Sequence, residues 1–150
     1  MNLPEYKDIR IRKTENGRLE VLDVLRQKFV TLTPEEWVRQ HFVNYLTEHL
    51  GYPKALMANE VELTVGDKHL RCDSVLFSQD RQPQMIMEYK AESIVLTQKV
   101  IMQITTYNML LHVRYLLVSN GNQHVCLHLN EASNQWEYLK EIPHYTQLYN

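Results

Sequence analysis

The sequence predicts a mixed α/β fold, in which helices flank a mixed β-sheet, and three observations support this fold class. Two segments, one after Thr33 and one after Thr97, have apolar residues at helical spacing. Between and after them, apolar residues alternate with polar ones at the period of two that is typical of strands. Turn signals such as Asn16-Gly17 and Asn120-Gly121 separate the strands. The predicted order is an N-terminal hairpin, then helix, three strands, helix, strand and a further strand.

The composition is that of a soluble globular protein with a single domain. The chain has 150 residues, of which 44% are hydrophobic and 23% charged. These values argue against disordered and fibrous classes. No apolar run is long enough for a membrane helix, and residues 1–12 are too charged for a secretory signal. We therefore expect a cytoplasmic protein without membrane contact. The two cysteines, Cys72 and Cys126, are too few for a disulfide framework and are expected to be reduced.

The N-terminal segment is predicted to be a hairpin, and the first helix follows it. Ile9 and Ile11 alternate with charged residues before the Asn16-Gly17 turn, and the alternation then resumes. Thr33 is a suitable helix cap and Pro34 a suitable first residue, with Glu36 completing a capping box. We expect this helix to end near Leu50, because a glycine and then a proline follow.

The rest of the chain continues the alternation of strands with one further helix. The predicted elements are strands from about Glu60 to Val65 and Leu70 to Phe77, a third strand from Met85 into Glu88-Tyr89-Lys90, a helix from Thr97 to about His112, and strands Tyr115 to Val118 and Val125 to Leu129. The first two strands form an antiparallel pair around the Gly66-Asp67 turn.

Three residues on neighbouring strands form the candidate catalytic group. Glu88 and Lys90 lie two apart on one strand and so project from the same face. Asp73 lies on the preceding strand, so the two carboxylates meet if those strands pair. Paired carboxylates suit Mg²⁺, which prefers oxygen ligands and retains water for a phosphate to displace. Lys90 beside the cation could hold the attacking water and offset charge on a scissile phosphate.

The Glu-x-Lys tripeptide alone is weak evidence, because Glu5-Tyr6-Lys7 repeats it by chance. Only the second copy follows an apolar strand and has an aspartate upstream at a suitable distance. The alternative for Glu88 and Lys90 is a solvated ion pair across strands.

A further carboxylate is expected from the first helix. Val38, Phe42, Tyr45 and Leu46 define its buried stripe, and a step of about 100° per residue places Glu35 within that stripe. Glu36 falls to the side, so Glu35 is the better candidate, although the choice between them stays open. The alternative for Glu35 is a first-turn acid that is stabilised by the helix dipole.

These motifs resemble the N-terminal nuclease domain of type I restriction enzyme R subunits, in the PD-(D/E)xK superfamily. The resemblance extends over about residues 20–130, and we expect residues 1–150 to form one domain. It is carried by the following segments: Phe29 to Phe42, Gly51-Tyr52-Pro53, Arg71-Cys72-Asp73, Glu88 to Ala91, Gln103 to Asn108, and Ser119-Asn120-Gly121. The resemblance implies a restriction-endonuclease-like core of helix, three strands, helix and strand.

The resemblance also implies a function and the residues that perform it. It implies a Mg²⁺-dependent DNA endonuclease, with Mn²⁺ as a substitute, in which Asp73 and Glu88 bind the metal and Lys90 is the catalytic lysine. Glu35 would be the helix acid, and Gln103 and Tyr107 would support catalysis or contact DNA. Cys72 replaces the proline of the superfamily motif. No motor-type Gly-rich loop is present. A motor or specificity protein is therefore an expected partner besides DNA, and a homodimer would allow both strands to be cut.

Several alternatives stay open at this point. Gln103 and Tyr107 could simply be a satisfied amide and a core aromatic. His124, Cys126 and His128 share a strand face and could bind zinc if Cys72 supplied a fourth ligand. The chain could be a catalytically silent member of the fold that binds nucleic acid or protein. A serine or cysteine hydrolase is less well supported, because neither Ser119 nor Cys72 has a recognisable base nearby in sequence. Basic residues, Arg39 and Arg71 among them, look scattered, which predicts weak and salt-sensitive DNA binding.

Overall fold

The computed structural model describes residues 1–149, which form two sheets and two α-helices. The first sheet is antiparallel, in the order β1 (Ile11–Lys13), β2 (Leu19–Asp23) and β3 (Lys28–Thr31). Helix α1 (Pro34–His49) follows directly. The second sheet has six strands in sequential order: β4 (Met57–Val65), β5 (Lys68–Phe77), β6 (Pro83–Tyr89), β7 (Tyr115–Ser119), β8 (His124–Asn130) and β9 (Gln135–Leu139). Helix α2 (Gln98–Asn108) connects β6 to β7.

The larger sheet is mixed, which confirms the predicted fold class. Strands β6 and β7 are parallel, because α2 crosses between them, and the other neighbours are antiparallel. Two strands were not predicted. The N-terminal hairpin gains β3 as a third strand, and β9 extends the far edge of the second sheet.

Helix α1 has the predicted ends, although the capping box is incomplete. The Thr33 hydroxyl accepts the Glu36 N–H at 3.0 Å. The Glu36 carboxylate, however, bonds to Arg26, Arg39 and Gln40 rather than to the cap. Gly51 ends the helix region with a φ of +76°, a conformation that glycine adopts without steric cost.

Two apolar layers cover the two faces of the six-stranded sheet. The layer on the α1 side includes Phe42, Leu46, Leu76 and Leu117, all fully buried. The layer on the α2 side includes Val75, Ile86 and Val118. Consecutive residues of a strand, such as Val75 and Leu76, lie in opposite layers, as the pleat of a strand requires. Both faces of the sheet are therefore buried, and this packing fixes the positions of the strand ends, where polar residues lie.

Helix α2 is less buried than its apolar spacing predicts. Only Ile101 and Asn108 are buried within it, while Tyr107 is 44% exposed. The helix ends in a short 3₁₀ turn, Met109–Leu111, so the predicted bound near His112 is close. Over residues 1–149, no helix has the length and apolar character needed to cross a membrane.

Candidate active site

Strands β5 and β6 bring the predicted catalytic carboxylates together. The ladder between them runs to the pair Ser74 and Met87, so Asp73 and Glu88 occupy the next opposed positions. There the strands stop pairing through backbone, and an Asp73 carboxylate oxygen accepts the Tyr89 N–H at 2.9 Å. A cavity of about 280 Å³ opens at this point. It is lined by Thr33, Glu35, Glu36, Arg39, Glu60, Asp73, Glu88, Tyr89 and Lys90.

Glu88 is the least satisfied group of the cavity. Its Oε1 atom is buried and has no hydrogen-bond partner among the described residues. Burial, and then the negative charge of Asp73, raise the pKa of Glu88 to about 9. The ionised form of the Glu88 carboxyl group is thus disfavoured at this position. Such an arrangement is more typical of functional sites than of structural ones.

A divalent cation fits this pair of carboxylates. Over residues 1–149, no group of three or more His, Cys, Asp or Glu side chains is arranged to hold a metal ion. The candidate donors are the predicted pair, Asp73 and Glu88, which line the cavity together, and their role as metal ligands stays a prediction. A cation held by both residues would give the free Glu88 oxygen a partner and would offset the repulsion between the two carboxylates. An oxygen-only donor set with room for water suits Mg²⁺.

Lys90 lies in the same cavity, immediately beyond β6. Its backbone N–H donates to the Ser119 carbonyl at 2.9 Å, which continues the parallel pairing of β6 with β7. Its ammonium group lowers the pKa of Glu88, although less than burial and Asp73 raise it. Lys90 is therefore close enough to Glu88 to share its electrostatic environment, as the Glu-x-Lys spacing predicts.

Helix α1 contributes both of its first-turn acids to the cavity, but not as the stripe predicts. Glu36 is the buried residue, and its carboxylate accepts hydrogen bonds from Arg39, Arg26 and Gln40 at 2.7 to 3.0 Å. Glu35 is exposed, so its placement within the buried stripe was wrong. It nevertheless lines the cavity with a carboxylate that has no structural ion pair among the described residues. Glu35 therefore stays the candidate helix acid because it lines the cavity, and not because it lies within the buried stripe.

Sequence reasoning missed an arginine that ties this helix to the strands. Arg39 contacts Glu36 and also Glu60, whose carboxylate is 2.8 Å from its Nη1 atom. The same atom donates to the Asp73 backbone carbonyl at 2.8 Å. Glu60 lies opposite Asp73 on β4, and its φ of +56° interrupts the ladder there. From the sequence, Arg39 is one of the basic residues expected to be available for phosphate contact. It is instead buried and paired.

A second buried network of hydrogen-bonded side chains lies on the strands that form the cavity. The Tyr89 hydroxyl donates to Ser74 at 3.0 Å, and the Ser74 hydroxyl donates to Asn59 at 2.5 Å. Asn59 then donates to both oxygens of Asp23, which is fully buried. This network links the three-stranded sheet to the strands that carry Asp73 and Glu88. No sequence spacing signals it, because its members come from four separate strands.

Gln103 and Tyr107 lie beside the candidate catalytic residues, where they line a wider cleft of about 510 Å³. This cleft shares Glu35, Glu88 and Lys90 with the cavity. Both side chains are exposed, so the alternative of a core tyrosine is wrong. The Tyr107 hydroxyl accepts the Arg71 N–H at 3.1 Å, which fixes α2 against β5. The Arg71 guanidinium pairs with Glu60 at 2.8 Å.

The alternative zinc and hydrolase sites are not formed. Cys126 packs in the apolar layer on the α1 side and Cys72 in the layer on the α2 side, so they cannot share a metal. The His124 Nδ1 atom does lie 2.8 Å from the Ser119 hydroxyl, although the sequence spacing indicated no base for this serine. However, Ser119 is fully buried and its hydroxyl also accepts the Gly121 N–H. This pair closes a turn rather than facing a substrate.

Comparisons with known proteins agree with the fold described above. The family model described as the type I restriction enzyme R protein N terminus matches residues 34–143, which include every predicted site residue. A solved fragment described as an HsdR subunit of a type I restriction enzyme from Vibrio vulnificus YJ016 has a TM-score of 0.54 and 19% identity. That match covers 79% of this chain and 25% of the fragment, so this chain spans about a quarter of it. No curated protein matches the sequence. The structural likeness confirms the predicted fold.

Proposed function

Because the chain belongs to the family of the type I restriction enzyme R protein N terminus, we propose that it is a DNA endonuclease domain that uses a divalent cation. The observation that carries the proposal is the convergence of Asp73, Glu88 and Lys90 in one cavity. The unpartnered oxygen of Glu88 supports a role in binding a cation rather than in stabilising the fold.

Asp73 and Glu88 are the residues that would hold Mg²⁺, with Mn²⁺ as a substitute. When bound, such a cation supplies a Lewis acid that polarises a phosphoryl oxygen and lowers the pKa of water. The Asp73 carboxylate is oriented by the Tyr89 N–H, and its backbone is held by Arg39. This rigid support matters because small displacements of reacting groups cost large factors in rate.

The other residues of the site have distinct roles in this proposal. Lys90 holds the attacking water and offsets negative charge that develops on the phosphate. Glu35, at the cavity mouth, is placed to accept a proton or to bind through water. Gln103 and Tyr107 line the adjoining cleft, where an amide and a phenol suit contacts to the phosphate backbone.

The proposed partners follow from the family. DNA is the substrate, and we propose that a motor or specificity protein of a restriction system delivers it. One site per chain cuts one strand, so a pair of chains acting together would cut both. The proposed location is the cytoplasm, where such substrates occur.

The test is cleavage of supercoiled DNA in Mg²⁺ or Mn²⁺ by wild type, Asp73→Ala and Lys90→Ala. Asp67→Ala in the β4–β5 turn and Lys54→Ala before β4 are matched controls that remove the same charges outside the cavity. We expect both site variants to lose at least about a hundredfold in rate. The controls should keep wild-type rates. Equal nicking by all five proteins would exclude this site, and binding without cleavage in either metal would favour the silent alternative.

A further inference from the structure

The basic residues of the chain are unevenly distributed in a way that the catalytic site does not use. Residues 1–28 carry seven of the 16 Lys and Arg side chains and five of the 18 acids. The rest of the chain is therefore acidic, with nine basic and 13 acidic residues. All of these basic residues except Lys7 lie on the strands of the three-stranded sheet, in its turns or directly before β1. We call residues 10–20, with Arg10, Arg12, Lys13 and Arg18, the basic hairpin.

We propose that the basic hairpin binds the phosphate backbone of duplex DNA beside the catalytic cavity. This inference rests on the proposed function for its substrate, but it assigns a separate binding surface. The side chains of Arg12 and Arg18 are 57% and 59% exposed, and Arg10 and Lys13 are exposed as well. The acids of the hairpin, Glu15 and Glu20, are outnumbered, so the surface keeps a net positive charge.

The hairpin lies at the correct end of its sheet for this role. Strand β2 pairs with β3 so that Glu20 is opposite Thr31, and the Leu32 N–H donates to the Leu19 carbonyl at 3.0 Å. Leu32 is followed by Thr33, the cap of α1, and the first turn of this helix holds Glu35 at the cavity mouth. The turn of the hairpin is therefore next to the segment that leads into the cavity, rather than at the remote end of the sheet.

The hairpin is also held in place before any partner binds. The Arg12 guanidinium stacks over the Phe29 ring at 3.9 Å and donates to Glu20 at 2.9 Å. Val21 is fully buried, and Asp23 at the end of β2 accepts two hydrogen bonds from Asn59. A guanidinium that is already ordered loses less side-chain entropy when it binds a phosphate. This preorganisation distinguishes the hairpin from a mobile charged tail.

DNA suits this arrangement because the cavity itself is acidic. Glu35, Glu60, Asp73 and Glu88 line it, and the two nearby arginines, Arg39 and Arg71, are engaged by Glu60. These groups would repel a polyanion at the point where it must approach. Cations beside the mouth offset that repulsion, and a basic β-ribbon can follow a duplex backbone without reading its sequence.

The test compares DNA binding by two variants with the same loss of charge. One is Arg12→Gln/Lys13→Gln/Arg18→Gln, and the matched control is Lys54→Gln/Arg81→Gln/Lys140→Gln, whose residues are exposed and lie outside the hairpin and the cavity. Affinity for a fluorescent duplex is measured without divalent cations over a series of salt concentrations. The hairpin variant should bind about tenfold more weakly near 0.1 M salt, and its salt slope should fall by about 2 to 3. The control should change both values little.

The outcomes separate this proposal from the proposed function. If the wild type binds DNA and both variants weaken equally, the hairpin has no special role, whereas nuclease function stands. Unchanged binding by the hairpin variant also overturns the proposal, and its charge would then serve another partner such as an acidic protein surface. If the wild type binds no DNA under these conditions, the hairpin proposal is overturned, whereas the cleavage test in Mg²⁺ or Mn²⁺ still decides the proposed function. Lys13→Gln/Arg18→Gln, which preserves the Arg12 stack on Phe29, guards against misfolding and should show most of the loss.

Discussion

The carboxyl group of Glu88 is buried, and both this burial and the nearby charge of Asp73 disfavour its ionised form. Burial and Asp73 raise its pKa to about 9, so the folded state takes up a proton that the unfolded state lacks at neutral pH. The arrangement lowers stability when no cation is present. Sites that act on substrates often have this property, because binding rather than folding relieves the conflict.

Glu88→Gln is therefore expected to stabilise the protein by about 1 to 2 kcal/mol at pH 7 in a chelator, since the amide needs no proton. Thermal denaturation measures this change. Glu35→Gln is the control, and it should change stability by less than about 0.5 kcal/mol because Glu35 is exposed. A melting temperature of Glu88→Gln below that of the wild type would contradict the prediction.

Asp23 has the opposite behaviour. Its burial alone would raise its pKa, but hydrogen bonds from Asn59 and Arg26, and the Arg26 charge, outweigh burial and lower it. A lowered pKa contributes stability that is present above the unfolded value of about 3.9 and is lost as pH falls through the folded value. Asp23→Asn should thus cost about 2 to 3 kcal/mol at pH 7.

Urea denaturation at a series of pH values tests the Asp23 prediction. The difference in unfolding free energy between wild type and Asp23→Asn should shrink below about pH 4, because the wild-type carboxyl is then protonated too. A difference that stays constant from pH 7 to pH 3 would show that the charge of Asp23 is not what stabilises the fold.

Among the elements, α1, β4 and β5 depend on Arg39 for their mutual position. Arg39→Gln would leave Glu36 without its closest cation, remove a partner of Glu60 and release the Asp73 carbonyl. We expect a loss of about 3 to 5 kcal/mol in unfolding free energy, as for other broken buried pairs. Arg39→Lys should recover only part of it, because one ammonium cannot reach all three groups. Denaturant unfolding of the three proteins decides this, and full recovery by lysine would mean that charge alone matters.

The end of α1 depends on Gly51. A β-carbon there would lie 2.7 Å from the His144 ring, and the φ of +76° adds strain. Gly66 has a similar φ of +61° but open space around it. Gly51→Ala should therefore cost more than the roughly 1 kcal/mol expected for Gly66→Ala. Thermal melts of both variants give the difference, and equal losses would show that the His144 contact is unimportant.

Elements with a strong local signal were predictable from sequence, and the others needed tertiary context. The Thr33 cap sufficed to predict α1, and the apolar residues of β5 and β6 sufficed to predict the strands that pair Asp73 with Glu88. Strand β9 (Gln135–Leu139) was missed because it is mostly exposed and pairs only through β8. Glu36 was misjudged because a helical stripe counts apolar residues, whereas its burial depends on Arg26 and Arg39.

In the whole molecule, the two sides of the main sheet are covered unequally. Seven of the sixteen residues of α1 are buried, against two of the eleven in α2. Exposed apolar side chains near α2 include Val95, Met102 and Met109. Since local stability follows buried apolar contact, α2 should open more readily than α1.

Amide hydrogen exchange under native conditions tests this asymmetry. Protection of α2 amides should correspond to an opening free energy at least about 1 kcal/mol below that of α1. The central strands β6 and β7, which are buried on both faces, should exchange most slowly. Equal protection in the two helices would mean that α2 is stabilised by contacts beyond its buried residues.

The cavity draws its walls from segments far apart in sequence, with Glu35 on α1, Asp73 and Glu88 on β5 and β6, and a cleft completed by α2. A chain still emerging from the ribosome can contain both carboxylates before residues of α2 exist. Such a nascent chain lacks the wall of the cleft that Gln103 and Tyr107 form. If the protein cuts DNA, the cleft beside the cavity can therefore receive its substrate only after α2 has been synthesised and has folded onto the sheet.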